Sequence, residues 1–169
     1  MNKALGKVSL RAYKTDEFER ACQIREISTL QAKENFRERF LASGTWSGHF
    51  LHLAIDVDGL LAGDMQLRHC DASMPKGALE IGVEVAQKLR GHGIATQALK
   101  EVARYAFQQG HHRIEGSTRL DNLAMRKAFE NAGWTFEGIL RALFVEDGKP
   151  INYYSFATTR YDASDGSVA

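Results

Sequence analysis

Two glycines flank a histidine where a strand-like pattern gives way to a helix-like one, in the stretch Leu89-Arg90-Gly91-His92-Gly93-Ile94-Ala95-Thr96. Glycine loses more conformational entropy on folding than other residues, so the pair indicates either a tight turn or a close approach of the backbone to a ligand. The N–H groups at a helix N-terminus bind phosphate oxygens, and a turn without side chains lets those oxygens come close. A single Gly-x-Gly leaves both interpretations open.

The neighbouring residues narrow the kind of phosphate ligand. The stretch lacks the Gly-Lys-Ser/Thr of a P-loop, and Thr96 stands where a dinucleotide-binding fold has its third glycine. The sequence therefore disfavours ATP and NAD as ligands.

The strand-like segment before the glycines carries two carboxylates. Alternation along a strand places Glu80 and Glu84 on one face and the apolar Ile81, Val83 and Val85 on the other. Both glutamates are candidates for proton transfer, and for each the alternative is a solvated or ion-paired carboxylate.

These residues must be positioned by the elements around them. Apolar periodicity predicts strands over 8–13, 49–57, 60–68, 78–86, 112–118, 134–145 and 151–160. Helices are predicted over 16–27 and 30–42, from the glycine stretch to Gly110, and from about 120 to a stop at Gly133. Asp58-Gly59 predicts a hairpin turn. This order implies an α/β (mixed α+β) fold, with a mixed sheet covered by helices on both faces.

Composition places limits on domain number and on partners. A chain of 169 residues with 44% apolar and 25% charged residues predicts one domain. We expect it over 1–161, with 162–169 as a disordered tail without an apolar pattern. A net charge of +1 argues against a nucleic-acid partner. No membrane span is expected, and two distant cysteines favour a reducing, cytoplasmic location.

Three longer segments together resemble the GNAT acetyltransferase superfamily, and more closely its RimJ/RimL-type branch of ribosomal-protein N-acetyltransferases. They are "EIGVEVAQKLRGHGIATQALKEVARYAF", "HRIEGSTRLDNLAMRKAFENAGWTFEGILR" and "DGKPINYYSFATTR". The most specific parts are Arg90-Gly91-x-Gly93-x-Ala95-Thr96 after a strand, and Asn122 followed eleven residues later by Gly133 and Trp134. The resemblance covers roughly residues 7–160.

The resemblance implies a single domain around a mostly antiparallel sheet of six to seven strands that is splayed in the middle. It also implies that acetyl-CoA is the acetyl donor, with no metal. The pyrophosphate of acetyl-CoA would be bound at Arg90, Gly91, His92, Gly93, Ile94, Ala95 and Thr96. By the same resemblance, Val83 and Val85 would contact the pantetheine arm, Asn122 would be a polar contact beside it, and Lys127 would meet a CoA phosphate.

The implied reaction is attack of a neutral amine on the acetyl-CoA thioester, which requires a base for the amine proton. Glu80 stands where related enzymes often carry an acidic residue that acts through water, and it is favoured over Glu84. An α-amine with a pKa of about 8 is roughly one-tenth neutral at pH 7, whereas lysine, near 10.4, is neutral about once in 2,500 molecules. An N-terminal acceptor could therefore manage with a weak base.

Two departures from the family pattern concern the general acid for the leaving thiolate. Phe129 stands seven residues after Asn122, where many relatives have tyrosine, and Met125 stands three residues after it, where this branch often has serine. Neither side chain donates a proton. A thiol pKa of about 8.5 makes thiolate a tolerable leaving group, so activity does not require that acid.

Three functions stay open at this point. The first is acetylation of a protein N-terminal α-amine, the second acetylation of a small amine such as an antibiotic, an amino acid derivative or a polyamine, and the third a non-catalytic acetyl-CoA-binding module. Residues that choose the acceptor are expected within 28–48 and 146–154. The chain is compatible with a monomer or a homodimer.

Overall fold

The computed structural model describes residues 6–70 and 75–162. The strands are β1 (Val8–Arg11), β2 (Phe50–Val57), β3 (Leu60–His69), β4 (Ala78–Val85), β5 (Arg113–Arg119), β6 (Thr135–Glu146) and β7 (Lys149–Thr159). The helices are α1 (Phe18–Ile24), α2 (Leu30–Leu41), α3 (Ile94–Gln108) and α4 (Leu123–Asn131), with 3-10 turns at Thr15–Glu17 and Gln87–Leu89. None of the helices in this described part is long and apolar enough to cross a membrane.

The seven strands form one sheet in the order β1-β2-β3-β4-β5-β7-β6. Every neighbouring pair is antiparallel except β4 and β5, which run parallel. That parallel pairing joins only Ala78–Glu80 to Arg113–Glu115, although both strands continue further. The predicted mostly antiparallel sheet with a splay in its middle is confirmed.

Left-handed turn residues set the register of the two hairpins. Asp58 and Gly59, with φ of 51° and 88°, join β2 to β3 as predicted. Asp147 and Gly148, with φ of 49° and 73°, do the same between β6 and β7.

The β6 strand is irregular at two places, since Glu137 is an extra residue and the three residues 141–143 stand opposite Asn152 alone.

The sheet is covered on both faces, as predicted. One core packs beneath α3 and α4 and includes Leu51, Leu53, Ile55, Met65, Leu67, Leu99 and Val102. A second core beneath α1 and α2 includes Phe18, Phe36, Phe40, Ala54 and Leu61. Alternation explains the division on β2, because neighbouring residues of one strand point to opposite faces. On β3 an extra residue at Ala62 shifts the alternation, so Leu61 points to the face opposite Met65 and Leu67.

Helix α1 ends earlier than the predicted boundary at residue 27. Glu26 adopts φ 56°, and the Ile27 N–H donates to the Cys22 carbonyl at 2.9 Å, which closes the helix in the manner of a Schellman motif. Such an end is usually marked by glycine, and a glutamate in that conformation gives no sequence signal.

At the other end of the chain, Asp162 accepts two hydrogen bonds from Thr159, and 163–169, most of the predicted tail, lie outside the described residues.

A buried carboxylate of β3 contacts side chains from β2, from the end of α1 and from the segment after β1. Asp64 of β3 is fully buried and accepts hydrogen bonds from the Tyr13 hydroxyl, from the Arg25 guanidinium and from Gln66 Nε2, the last at 3.1 Å. His52 Nδ1 lies 3.7 Å from Asp64 Oδ1. Burial raises the pKa of Asp64, but the nearby His52 imidazole, the Arg25 charge and the hydrogen bond from the Tyr13 hydroxyl outweigh it and hold the pKa below its usual range.

The Asp64 cluster predicts an acid-sensitive contribution to stability. Because the folded-state pKa of Asp64 lies below an unfolded value of about 3.9, the stabilisation is present above that value and is lost as pH falls through the folded-state pKa. We expect Asp64→Asn to lower the free energy of unfolding at pH 7 by about 3 kcal/mol, since it leaves the half-buried Arg25 without its counter-charge. Urea denaturation at a series of pH values measures the difference, which should narrow below about pH 4.

Asp147→Asn is the matched control, because Asp147 is exposed in a hairpin turn whose left-handed φ asparagine also tolerates. Its effect should stay within about 0.5 kcal/mol. A loss for Asp64→Asn that is independent of pH would contradict the charge argument.

Candidate active site

A cavity of about 970 Å³ opens where β4 and β5 diverge. Its walls come from the C-terminal end of α1, from β4, from the glycine turn before α3, from the start of α4 and from the β6–β7 hairpin. Five cationic side chains (Arg25, Arg68, Arg90, Arg119, Lys127) and three glutamates (Glu26, Glu80, Glu84) line it. The excess of positive charge suits an anionic ligand.

Glycine is required at both positions of the turn that leads into α3. Gly91 and Gly93 have φ of 80° and 78°, in the left-handed region that other residues rarely adopt. A Cβ on Gly91 would meet no other atom within 4 Å, so this side of the turn is open. Gly93 is the N-cap of α3 and no side chain caps that end, which leaves the first N–H groups of the helix for a ligand.

The predicted pyrophosphate residues lie together around this turn, with one exception. The cavity lining includes Arg90, Gly91, Gly93, Ile94, Ala95 and Thr96. His92 is outside the lining, and its ring Nδ1 lies 2.9 Å from the Arg90 carbonyl oxygen. The His92 ring thus belongs to the structure of the turn.

The β4 strand presents unpaired backbone to the cavity beyond Glu80. The Ala86 N–H donates to the Ala62 carbonyl of the β3 side at 2.9 Å, and antiparallel alternation then points the backbone of Val83 and Val85 away from β3. Arg90 Nε donates to the Val85 carbonyl at 3.0 Å, from that same side. The Val83 N–H and C=O therefore face the space where β5 has separated.

Both predicted carboxylates line the cavity, and each lies near an arginine. Glu80 is 2.8 Å from Arg68 Nη2, and Glu84 is 3.8 Å from Arg90 Nη2. Desolvation by the surrounding protein raises the pKa of Glu84, and the positive charges of Arg90 and Arg25 oppose this rise. The negative charges of Glu26 and Asp64 add to the rise. Glu80 thus forms an ion pair, which is the alternative to proton transfer that its sequence position left open.

Asn122 and Lys127 line the cavity from α4. Asn122 is also the N-cap of this helix, because its side-chain oxygen accepts the Met125 N–H at 3.1 Å. The Asn122 side-chain NH₂ remains free to face a ligand. One residue therefore serves the helix with its oxygen and the cavity with its nitrogen.

A family comparison agrees with this geometry. The family described as acetyltransferase (GNAT) domain matches residues 5–135. The chain belongs to the GNAT acetyltransferase family. Membership makes it an N-acetyltransferase. No sequence relative was found among curated proteins.

Solved GNAT structures share the fold of this acetyltransferase at low sequence identity. RimJ from Mycobacterium smegmatis, in complex with CoA-disulfide, is 22% identical with TM-score 0.73 and covers 93% of this chain and 84% of its own. A mutant of the spermidine N-acetyltransferase SpeG from Vibrio cholerae is 14% identical with TM-score 0.75, covering 94% and 96%. A microcin self-immunity acetyltransferase, MccE, in complex with acetyl-CoA and AMP, is 15% identical with TM-score 0.74, covering 90% and 92%.

Phe129 has a packing role in this GNAT domain that excludes proton donation. It is buried, stacks on Phe156 with ring centroids 4.9 Å apart, and contacts the ring of Trp134. A Cβ added to Gly116 would lie 2.9 Å from Phe129 Cζ and 3.1 Å from Ile81 Cγ1. The ring thus occupies the place where β4 and β5 begin to separate.

Several cavity residues of this GNAT domain carried no sequence signal. Ile24, Arg25 and Glu26 form the wall opposite β4, whereas none of the predicted 28–48 region lines the cavity. Trp46 of that region stacks on His69 instead, with centroids 4.0 Å apart. Within the predicted 146–154 region, Tyr153 reaches the cavity, while its neighbour Tyr154 is partly buried against the core on the other face of β7.

Across 6–70 and 75–162, no three His, Cys, Asp or Glu side chains are grouped as metal ligands would be.

The dual role of Asn122 gives a prediction that separates helix stability from ligand contact. Asn122→Ala should lower the free energy of unfolding by about 1 kcal/mol because α4 loses its N-cap. Asn122→Asp keeps a side-chain oxygen for the Met125 N–H and should stay within about 0.5 kcal/mol of the parent protein. Urea denaturation measures both, and equal losses in the two variants would show that the cap is not what Asn122 contributes.

Proposed function

We propose that this acetyltransferase moves the acetyl group of acetyl-CoA to an amine by direct attack in a ternary complex. The observation that carries the proposal is the divergence of β4 and β5 after Glu80, which exposes the Val83 backbone beside a cavity that reaches the glycine turn. A pantetheine arm can pair with that free backbone as an added strand would.

The pyrophosphate would sit at the start of α3. Gly91 and Gly93 leave the backbone bare, the helix dipole favours anions there, and Arg90 and Lys127 add positive charge at the cavity wall. The Asn122 NH₂ would contact the pantetheine arm. These assignments account for the cationic lining without any nucleic-acid partner.

The reacting groups would meet where the two strands part. The Val83 N–H is placed to stabilise the oxyanion that forms on the thioester carbonyl. Glu80, the last residue of β4 that is paired with β5, would take the amine proton through water. The ammonium group of the acceptor would first displace Arg68 and so free the Glu80 carboxylate. Tyr153 also lines the cavity, and its hydroxyl would donate a proton to the leaving thiolate. It would take the role of the tyrosine that many relatives carry where this chain has Phe129.

For the acceptor, we propose a protein N-terminal α-amine of the type that RimJ/RimL enzymes acetylate. RimJ is among the similar structures, and an α-amine needs only a weak base at neutral pH. The positive excess of the cavity disfavours a polyamine. A small amine with a single positive charge is the second candidate, which the similarity to MccE favours, and binding without turnover would indicate a non-catalytic module.

Acetyl-CoA binding tests the cofactor assignment directly. Gly93→Glu places bulk and negative charge at the start of α3, and we expect its affinity for acetyl-CoA in calorimetric titration to fall at least 100-fold. Gly110→Glu is the matched control, because Gly110 follows the other end of α3 with φ 92° and nothing within 4 Å of an added Cβ. Both carry similar backbone strain, and only the first should lose binding. Equal affinities would assign the glycines to a turn alone.

Glu80→Gln tests the base. We expect kcat for the preferred amine to fall by 10²- to 10³-fold with unchanged acetyl-CoA affinity, because the amide cannot accept the proton. Glu84→Gln provides the comparison on the same face of β4 and should lower kcat by less than tenfold. A larger loss for Glu84→Gln than for Glu80→Gln would reverse the assignment.

A further inference from the structure

A smaller pocket of about 210 Å³ adjoins the main cavity on the outer half of the sheet. Glu80, Ser117 and Leu143 line both spaces, so the two are adjacent at the point where the base is proposed. The remaining lining of this side pocket is Glu115, Gly116, Leu140 and Ser155. Its volume is on the order of seven water molecules at about 30 Å³ each.

Leu143 reaches both spaces because β6 is distorted there. The register runs from Leu140 opposite Tyr153 to Phe144 opposite Ile151, so residues 141–143 oppose Asn152 alone. Ala142, in the middle, has φ 50°, a strained conformation for a residue with a side chain. Bulges of this kind re-aim a side chain beside a site.

Asn152 holds the distortion in place. Its side-chain oxygen accepts the Ala142 N–H at 2.8 Å, and its backbone carbonyl accepts the Leu120 N–H at 3.3 Å. Asn152 itself is not in the lining of either space. It therefore acts on the pocket only through the position of Leu143.

The side pocket is polar, and an arginine is paired with each of its two carboxylates, although Arg113 is shared with Glu137 outside the pocket. Glu80 is paired with Arg68 at 2.8 Å and Glu115 with Arg113 at 2.7 Å. Ser117 and Ser155 present hydroxyls that no described residue engages by hydrogen bonding, and Leu140 and Leu143 supply the apolar wall. A second cationic group would have to displace an arginine from Glu80 or Glu115, whereas a short neutral substituent fits without breaking either ion pair.

Resting on the proposed function, we propose that this side pocket receives the substituent next to the acceptor amine and that Leu143 is the residue that limits its size. The acceptor class is then a primary α-amine with a short neutral substituent. Asn152 is a positioning residue that sets this limit through the Ala142 N–H.

The test compares kcat/KM across the amides of glycine, alanine, serine, leucine and phenylalanine, which present the same α-amine with substituents of increasing size. We expect the parent protein to favour the three smallest over phenylalanine amide by at least tenfold. Leu143→Ala should reduce that ratio to threefold or less, because truncation removes the wall, and Leu143→Phe should enlarge it.

Asn152 variants distinguish positioning from a general structural effect. Asn152→Ala removes the acceptor for the Ala142 N–H and should relax the size preference as Leu143→Ala does. Asn152→Asp keeps that acceptor and should keep the size preference of the parent protein. Thermal unfolding of both checks that they fold, and if Asn152→Ala does not, the two Leu143 variants decide the outcome.

The outcomes are separable. An active parent protein whose size preference is unchanged in Leu143→Ala overturns the inference and leaves the acetyltransferase assignment standing. Acetyl-CoA binding without turnover of any amide overturns the proposed acceptor class and the side-pocket inference together. A relaxed preference in both Leu143→Ala and Asn152→Ala, but not in Asn152→Asp, establishes the proposal.

Discussion

The site depends on a parallel strand pairing that lasts for only three residues on each strand. Up to Glu80 and Glu115, β4 and β5 are held by backbone hydrogen bonds, and beyond them the two strands separate. Phe129 fits beneath Gly116 and against Ile81 at that point, where no larger residue than glycine leaves room for its ring. The separation frees backbone polar groups that an ordinary sheet would have paired, and a buried group of that kind requires a partner. A ligand arm with amide groups is such a partner.

Charge is distributed along the cavity so that each acidic group on β4 has an arginine within reach. Glu80 and Glu84 lie near Arg68 and Arg90, which come from different elements on either side of the strand. Asp64, directly opposite Glu84 in the register, is satisfied from behind by Arg25 and Tyr13. Asp64 is therefore held in place by protein side chains, whereas the Glu80 and Glu84 carboxylates face the cavity and can exchange their partners, as groups that transfer protons must.

Local sequence rules predicted the features that depend on one or two residues. Asp58-Gly59 and Gly133 marked a turn and a helix end, and alternation assigned the two faces of β4. Features that depend on residues distant in sequence were not predictable in this way. Glu26 ends α1 without glycine, and Arg25 reaches the cavity only because Asp64 holds it. The distortion at 141–143 follows from Asn152 on the next strand.

The outermost strand has a consequence for the behaviour of the protein in concentrated solution. β6 lies at the edge of the sheet and exposes Phe136, Ile139, Phe144 and Val145, a combination that commonly promotes aggregation. Its two irregularities interrupt the row of backbone groups that an incoming strand would have to follow. Between the two irregularities, the edge is regular only over Gly138–Leu140. That length is too short to start the addition of further strands. The same distortion that places Leu143 thus also shields an apolar edge from fibril-like growth.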